Sequence, residues 1–327
     1  MKRRKKKLLL FSVICGCMVF YAVNAQPIDQ YVSVLKNEAT GVHSPVDNDD
    51  QHSIRQQIED WKKTHDEAPQ DAYLDPIWKA VPGYNGRVVD VEASLLNMKQ
   101  SGVFSRQQLV YIEQEPKVSL EQLGAQPIYR GNPNKPGISF MVNVAWGNEY
   151  LDEMLNTLDK YQVKTTFFLD GSWVRRYPEW AKKIAERGHE IGNHAYSHPD
   201  MSKQGATQIR QQIGKTQAVI EKTLGIKPTL FAPPSGAYSQ AVVDIATREF
   251  QMKTILWTAD TVDWKRPPVA DMLHRLQSKM GKGVLVLMHP TPTSAKGLEP
   301  LIKMAKQRNL TPMTVSELLS SKRIEQP

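Results

Sequence analysis

Beyond Gly137 the chain alternates short apolar runs with amphipathic stretches, and no other feature of the sequence restricts its fold as much. The apolar runs are rich in β-branched, aromatic and aliphatic residues, which is typical of buried strands. Seven can be distinguished: Ile138 to Ala145, Lys164 to Leu169, His189 to Gly192, Thr229 to Phe231, Lys253 to Trp257, Val284 to Met288 and Thr311 to Val315. Strands that alternate with helices form parallel sheets. Because a complete eight-stranded barrel takes about 250 residues, we predict an α/β fold, a distorted and incomplete seven-stranded (β/α) barrel.

The stretches between these runs predict helices. Apolar residues recur there at spacings of three and four, which places them on one helix face. They are Leu151, Met154, Leu155 and Leu158 in one helix, and Ile209, Ile213 and Ile220 in a longer helix that Gly225 ends. Ligands of parallel α/β folds bind at the carboxyl ends of the strands. We therefore expect functional residues directly after the apolar runs.

Residues 1–25 predict an export signal rather than part of this fold. A basic run from Lys2 to Lys7 precedes an apolar run from Leu8 to Val23, and Ala22 and Ala25 fit a small-residue cleavage site. The apolar run is shorter than the roughly 20 residues that span a bilayer, which favours a cleaved signal peptide over an N-terminal anchor. In both cases we expect a secreted or extracytoplasmic protein, associated with a membrane only through an uncleaved leader.

The leader also accounts for most of the positive charge and for both cysteines. Six of the 42 basic residues and none of the 34 acidic residues lie in it, so the formal charge falls from +8 to +2 without it. This balance argues against nucleic acid as a partner. Cys15 and Cys17 lie in the leader as well. A metal in the rest of the chain would therefore need His, carboxylate or water ligands.

Two further segments precede the alternating region. Residues 26–74 are polar and weakly periodic, as expected of a linker or stalk, and residues 75–131 form a small accessory segment. In the accessory segment, Val81–Gly86 followed by Val89–Glu92 resembles peptidoglycan-binding modules that precede other wall enzymes. A structural cap on the main domain is the alternative. After a short linker, the main domain is expected at residues 137–320.

Polar and ring-bearing residues follow four of the predicted strands. They make up the loops Asn193–Pro199, Ala232–Gly236, Asp260–Trp264 and His289–Pro290. Since the carboxyl ends of parallel strands share one edge of a sheet, we expect these four loops to converge on one face.

The first of these loops carries a histidine pair, His194 and His198, with spacing suited to a metal. Two imidazoles at a strand exit can reach one divalent ion, and neutral imidazole suits zinc, cobalt or nickel. The helical zinc-protease motif is excluded because Ala195 stands where that motif requires Glu and Pro199 opposes a helix. The alternative is that each ring only satisfies hydrogen bonds in its loop. The three neighbouring polar strand ends favour a metal.

His289 follows the apolar run Val284–Met288, so a rigid strand would present its ring at the same face. Imidazole titrates near neutrality, which suits an acid or a base, and a neighbouring carboxylate fixes its tautomer. Asp263 is the natural partner. The alternatives are a buried core imidazole for His289 and a helix N-cap for Asp263.

Taken together, these loops resemble motifs two to five of the polysaccharide deacetylases, carbohydrate esterase family four. The matching sequences are Ile191-Gly192-Asn193-His194-x-Tyr196-Ser197-His198-Pro199, Phe231-x-Pro233-Pro234-x-Gly236, Trp257-x-x-Asp260-x-x-Asp263-Trp264 and Leu287-x-His289. The resemblance extends from about Gly137 to Leu319. The family removes acetyl groups from N-acetylated sugars of peptidoglycan or chitin with a divalent metal held by one Asp and two His. The resemblance implies a barrel of the polysaccharide deacetylase type. It also implies a cell-wall polysaccharide as partner, on the cell-wall side of the membrane.

The resemblance also assigns roles to individual residues. His194 and His198 would be metal ligands, and the metal would polarise the amide carbonyl and activate a water. His289 would be the general acid that protonates the leaving amine, with Asp263 tuning it. The implied substrate contacts are Trp264 and Pro234 in the sugar groove and the backbone amide near Ser235 at the developing oxyanion.

The first motif departs from the family. Where the family has Thr-Phe-Asp-Asp-Gly, this chain has Met141-Val142-Asn143-Val144-Ala145. Asn143 replaces the general base and cannot accept a proton near pH 7, and Val144 replaces the metal-binding Asp and has no lone pair to donate. Ala232 replaces the Arg that braces the base. An Arg without its carboxylate would be an uncompensated charge, so these losses belong together.

Three functions fit these residues. The first is an active deacetylase with an altered site, in which Asp260 or water completes a weaker metal shell. The second is a catalytically inert relative that binds wall glycan through Trp264 and the Pro233-Pro234 wall. The third is a structural protein of an envelope or spore-coat process. The whole chain is most similar to a degenerate, sporulation-associated branch of the family in endospore-forming bacteria.

Overall fold

The computed structural model describes residues 48–324, with side chains from Gln51 onward. The predicted leader and the first part of the predicted linker lie outside these residues. Within the described part of the chain, no helix is long and apolar enough to cross a bilayer.

The chain divides into two compact units. Among the described residues, the first comprises 48–60 and 91–109, and the second comprises 61–90 and 110–324. Helix α1, Asn48–His65, begins in the first unit, which also holds helix α2, Val91–Met98. The prediction of a linker over residues 26–74 is therefore wrong for the part that forms α1, because its apolar residues, among them Ile54 and Ile58, are buried.

In the second unit, two antiparallel strand pairs precede the main sheet. Strands β1, Tyr73–Asp75, and β2, Lys79–Val81, form a hairpin, and β3, Gly86–Asp90, pairs with β4, Val110–Gln114. The β1–β2 turn is closed by Asp75, whose Oδ1 accepts hydrogen bonds from the backbone amides of Ile77 and Trp78, each at 2.8 Å. Strands β2, β3 and β4 fall within the predicted accessory segment, whereas β1 begins at Tyr73, two residues before its predicted start.

The main sheet is parallel and contains all seven predicted strands. They are β5, Gly137–Val144; β6, Thr166–Leu169; β7, Glu190–Asn193; β8, Leu230–Phe231; β9, Lys253–Thr254; β11, Val284–Met288; and β12, Thr311–Pro312. An eighth strand, β10, Ala259–Asp260, joins them, and the strand order is β10-β11-β5-β6-β7-β8-β9 with β12 also paired to β5. Within residues 48–324 no strand pairing closes this path, which confirms the incomplete barrel.

Helices connect and cover these strands. They are α3, Asn148–Lys160; α4, Gly171–Arg176; α5, Pro178–Glu186; α6, Ala206–Leu224; α7, Gln240–Arg248; α8, Val269–Gln277; α9, Pro292–Gln307; and α10, Val315–Leu319. The apolar faces predicted for α3 and α6 are confirmed, since all seven of the residues named above for them are buried. Gly225 ends α6 with a left-handed conformation, φ 69°, which glycine adopts without a Cβ penalty.

The two faces of β5 determine where its last residues point. Phe140, Val142 and Val144 pack in the apolar cluster shared with the covering helices. Met141 packs in a second cluster inside the curved sheet, and strand alternation places Asn143 on that same inner face. The end of β5 therefore presents Asn143 toward the interior of the barrel and Val144 toward the helices.

Candidate active site

The predicted loops meet at the carboxyl ends of the parallel strands. The rings of His194 and His198 lie 5.2 Å apart between centroids, and His194 is hydrogen-bonded to the loop that follows β8. The His289 side chain contacts Asp263 after β10. The predicted loops therefore contact one another in two pairs, the loop of His194 with the loop after β8 and the loop of Asp263 with that of His289.

His194 is fully buried, and its tautomer is fixed by one contact. Its Nδ1 lies 2.8 Å from the carbonyl oxygen of Ala232. Because a carbonyl only accepts hydrogen bonds, Nδ1 carries the proton and Nε2 keeps a free lone pair. Burial, reinforced by the neighbouring His198, lowers the pKa of His194 to about 3. The ring is therefore neutral at physiological pH, as a metal ligand must be.

The loop that carries His198 has an unusual backbone that side-chain hydrogen bonds hold in place. Ala195 and His198 adopt left-handed conformations, with φ of 60° and 52°. Such conformations cost free energy in residues other than glycine and persist where neighbours enforce them. Here the side chains of Asn193 and Gln212 enforce the conformation of the loop. Asn193 Oδ1 accepts a hydrogen bond from the Ala195 amide, and Gln212 Oε1 accepts from the amides of Tyr196 and Ser197.

Asp170 is a buried carboxylate beside this loop that the sequence analysis did not single out. It follows β6, its backbone amide donates to the Val144 carbonyl at 2.9 Å, and its Oδ1 caps α4. Burial raises the pKa of Asp170, and its Oδ2 has no hydrogen-bond partner. Burial lowers the pKa of His198, and the charge of Asp170 opposes that effect. Asp170 could have been identified only through tertiary contacts, such as its own backbone bond to Val144 and that of the next residue, Gly171, to Ala195.

Asp263 and His289 are joined by two direct hydrogen bonds. Asp263 Oδ1 accepts from His289 Nδ1 at 2.8 Å, and Oδ2 accepts from the His289 backbone amide at 2.7 Å and from the hydroxyls of Thr291 and Ser294. Burial alone would raise the pKa of Asp263, but the hydrogen bonds from His289 and Ser294 outweigh it and lower that pKa. The arrangement holds Nε2 of His289 toward the open side of the site, where a general acid would act.

The end of β5 contains no acid or base. Asn143 is 3% exposed and its Oδ1 has no hydrogen-bond partner. Val144 is fully buried among apolar side chains. Ala232 is also fully buried in an apolar cluster. The positions that the family resemblance assigns to the base, the metal ligand and the bracing Arg are therefore occupied by side chains that neither carry a charge nor bind a metal.

The three predicted substrate contacts differ in accessibility. Trp264 is 53% exposed and Ser235 is exposed, but Pro234 is buried, so only its edge could touch a ligand. Ser235 has φ 55° within a short turn of 3-10 helix, which orients the following amides. A second exposed ring, not predicted from the sequence, belongs to Trp146, which is 43% exposed and lies parallel to His289 at 6.0 Å between centroids.

The donor set does not fit a three-ligand metal site. Among residues 48–324, no three His, Cys, Asp or Glu side chains lie close enough to hold one ion. Two neutral imidazoles are present, but the third position is Val144, whose side chain packs away from them. Asp260, which could have completed the shell, instead accepts a hydrogen bond from the Val262 amide at 2.7 Å.

Comparison with known proteins identifies relatives with the same domain. A family model described as polysaccharide deacetylase matches residues 130–255. Uncharacterized protein YlxY of Bacillus subtilis is 46% identical over 90% of each chain. A peptidoglycan-N-acetylglucosamine deacetylase of Bacillus cereus is 29% identical, over 59% of this chain and 72% of its own length.

A solved structure with the same fold comes from Bacillus anthracis. The wild-type protein BA3943, described as a CE4 family pseudoenzyme, is 45% identical and superposes with a TM-score of 0.78, covering 83% of this chain and 96% of its own. A mutant of BA3943 described as having restored enzymatic activity superposes equally well, at 44% identity, covering 83% of this chain and 99% of its own. The parallel sheet, the motif residues at its strand ends and these relatives agree, and the chain belongs to the polysaccharide deacetylase family, carbohydrate esterase family four.

Proposed function

We propose that this protein is an extracytoplasmic, hydrolytically inert member of its family that binds N-acetylated cell-wall glycan. The observation that carries the proposal is the end of β5, where Asn143 and Val144 occupy the positions of the two carboxylates. An amide cannot accept a proton at neutral pH, and a valine cannot bind a metal. The site therefore lacks a group to activate water and a full shell to hold an ion.

The remaining features of the site support binding rather than hydrolysis. The Asp263–His289 pair and the loop of His194 and His198 keep defined geometries although the first motif is lost. Two tryptophans stay exposed at this face, and exposed aromatic side chains beside a polar site are typical of ligand contacts. The relative described as a peptidoglycan deacetylase supports a wall glycan as the ligand. The relative described as a pseudoenzyme supports the loss of hydrolysis.

The direct test combines an activity assay with a binding assay on the full chain. We expect no measurable acetate release from chitooligosaccharides or peptidoglycan, because loss of a general base typically costs about 100- to 10,000-fold in rate. We expect the same protein to co-sediment with insoluble, N-acetylated peptidoglycan. Trp264→Ala should weaken co-sedimentation, and Tyr177→Ala, at an exposed ring between α4 and α5, is the control.

Two results would contradict the proposal in different ways. Turnover comparable to that of ordinary deacetylases, lost in His289→Ala, would show an active enzyme with an altered site. Absence of both turnover and co-sedimentation would favour a purely structural role in the envelope.

A further inference from the structure

We propose that the β1–β2 hairpin is a lipid-contact element, whose turn inserts its exposed apolar side chains into an anionic membrane surface. The turn follows β1 and comprises Pro76, Ile77 and Trp78. Because the hairpin is not one of the loops that form the candidate active site, this inference goes beyond the proposed function. It adds a second membrane contact to the leader, which was the only one that the sequence predicted.

The hairpin exposes a run of bulky apolar side chains. Tyr73 is 43% exposed, Leu74 is 54% exposed, and Ile77 is 71% exposed, more than any other large apolar residue among those that the structure describes. Covering such surface is favourable, and adjacent exposed apolar residues mark contact with a partner or a membrane. A glycan fits Leu74 and Ile77 poorly, because aliphatic side chains offer it neither a ring face nor a hydrogen bond.

The turn supplies hydrogen-bond partners for its own polar groups. The amides of Ile77 and Trp78 donate to Oδ1 of Asp75, each at 2.8 Å. Pro76 has no N–H, and its carbonyl oxygen accepts from Nζ of Lys79 at 3.0 Å. A turn in water can leave such groups to the solvent, and a protein partner could bond them, whereas a lipid interior offers no partner at all. The internal pairing therefore favours lipid over protein as the occupant.

Two cations lie beside the turn. Lys79 is one, and the other is Arg130, whose guanidinium carbon lies 5.9 Å from the centroid of the Trp78 ring. Hydrogen bonds from the amides of Trp78 and Ile77 lower the pKa of Asp75, and the charges of Arg130 and Lys79 add to that effect. With two cations and one carboxylate, the net charge of these three side chains is positive. Anionic lipid headgroups attract basic residues that flank an apolar segment.

Trp78 has the position of an interfacial aromatic residue. It is half-buried, and its ring centroid lies 6.4 Å from that of Tyr129. Aromatic rings with an apolar body and a polar end are enriched at the level of the lipid headgroups. Ile77 precedes Trp78 in the turn and reaches the acyl chains when the turn is inserted. The emission of Trp78 therefore reports whether the turn has entered the lipid.

The first experiment measures quenching of tryptophan emission by brominated lipid in phosphatidylglycerol vesicles, which affects only rings that approach the acyl chains. The full chain is used, and Trp78→Phe removes one of its seven tryptophans. We expect the lipid to quench wild-type protein more than Trp78→Phe. That difference should disappear when both proteins also carry Ile77→Asp. The predicted leader is common to all four proteins, so the difference reports on the hairpin alone.

The second experiment measures partition of the full chain into the same vesicles. Ile77→Asp should lower the partition coefficient about tenfold, because it removes most of the apolar surface of the turn. The matched control is Leu96→Asp on α2, where the side chain is 70% exposed, and it should change nothing. Lys79→Gln should weaken partition about fivefold, and only into anionic vesicles. Since Ile77 is exposed, Ile77→Asp should keep the unfolding temperature of wild-type protein.

Three results would overturn the inference. The first is equal quenching of wild-type protein and Trp78→Phe by brominated lipid. The second is an equal loss of partition in Ile77→Asp and Leu96→Asp, which would show a general effect of exposed apolar residues. The third is a dimer in sedimentation velocity that Ile77→Asp dissociates, without quenching of Trp78, which would assign the hairpin to a second copy of the chain. Glycan binding is measured separately by co-sedimentation with peptidoglycan, so either proposal can fail alone.

Discussion

Asp263 holds His289 at two points, accepting one hydrogen bond from the ring at 2.8 Å and another from the backbone amide of the same residue at 2.7 Å. Both carboxylate oxygens are thus engaged, and the ring cannot turn without breaking a buried contact. The half of the site that would protonate a leaving group is therefore intact. At the two positions where the family resemblance predicts the base and the metal-binding carboxylate, the chain has Asn143 and Val144.

Metal affinity should be weak. Two neutral imidazoles lack both the third ligand and the charge of a carboxylate, so calorimetry with zinc or cobalt should give a dissociation constant far above the micromolar range. Submicromolar affinity that disappears in His194→Ala would show that another group completes the shell. Asp170→Asn would then decide whether that group is Oδ2 of Asp170, which has no hydrogen-bond partner.

Val144→Asp alone should destabilise the protein. Val144 is fully buried in an apolar cluster, and a carboxylate there is expected to cost about 3 kcal/mol of unfolding free energy. To become the third ligand of His194 and His198, the new carboxylate would have to turn away from the helix side of β5, and zinc should restore part of the loss by favouring that turn. The matched control is Val142→Asp on the same buried face of β5. It should be destabilised equally, and zinc rescue of that variant would contradict the assignment of position 144.

The triple variant Asn143→Asp, Val144→Asp and Ala232→Arg should gain metal affinity and some hydrolysis. Val144→Asp supplies a ligand without a base, and Asn143→Asp supplies a base without a held water, so the effects should be strongly non-additive. Arg at position 232 would be an unpaired charge in an apolar cluster unless position 143 is Asp. A folded triple variant that neither binds zinc more tightly nor releases acetate would refute the alignment of the first motif.

Acid should destabilise the protein partly through His189. Burial lowers the pKa of His189 to about 4, and its Nδ1 accepts from the Thr165 amide at 3.3 Å. Because the folded-state pKa lies below the usual value of about 6.5, this residue stabilises the fold above pH 6.5. That contribution is lost as the pH falls toward 4.

The loss attributable to His189 between pH 7 and pH 5 should be about 2 kcal/mol. It can be measured by urea unfolding at the two pH values. His189→Gln should reduce the difference by that amount, whereas His274→Gln, at an exposed position of α8, should leave it unchanged. Equal pH dependence in wild type and His189→Gln would contradict the prediction.

The sequence by itself determined the strands, the helix faces and the grouping of the motif loops. These follow from local rules: alternation of apolar runs with helical stripes gives a parallel sheet, and a parallel sheet brings all its carboxyl ends to one edge. That Asn143 and Val144 carry no carboxylate was also evident, because it depends on residue identity alone. The short strand β10 and the helix α1 were missed, since neither has a strong apolar pattern of its own.

Only the tertiary structure decided how the polar and aromatic side chains meet. That Trp146 lies parallel to His289, and that the backbone of Asp170 contacts Val144, depends on loops from strands far apart in the sequence. Their conformations are set by steric contacts such as that between Gly147 and Pro290, which no local pattern encodes. The direction of the Val144 side chain was likewise open. Strand alternation fixes it relative to its neighbours, but which face lies under the helices is settled by packing of the whole sheet.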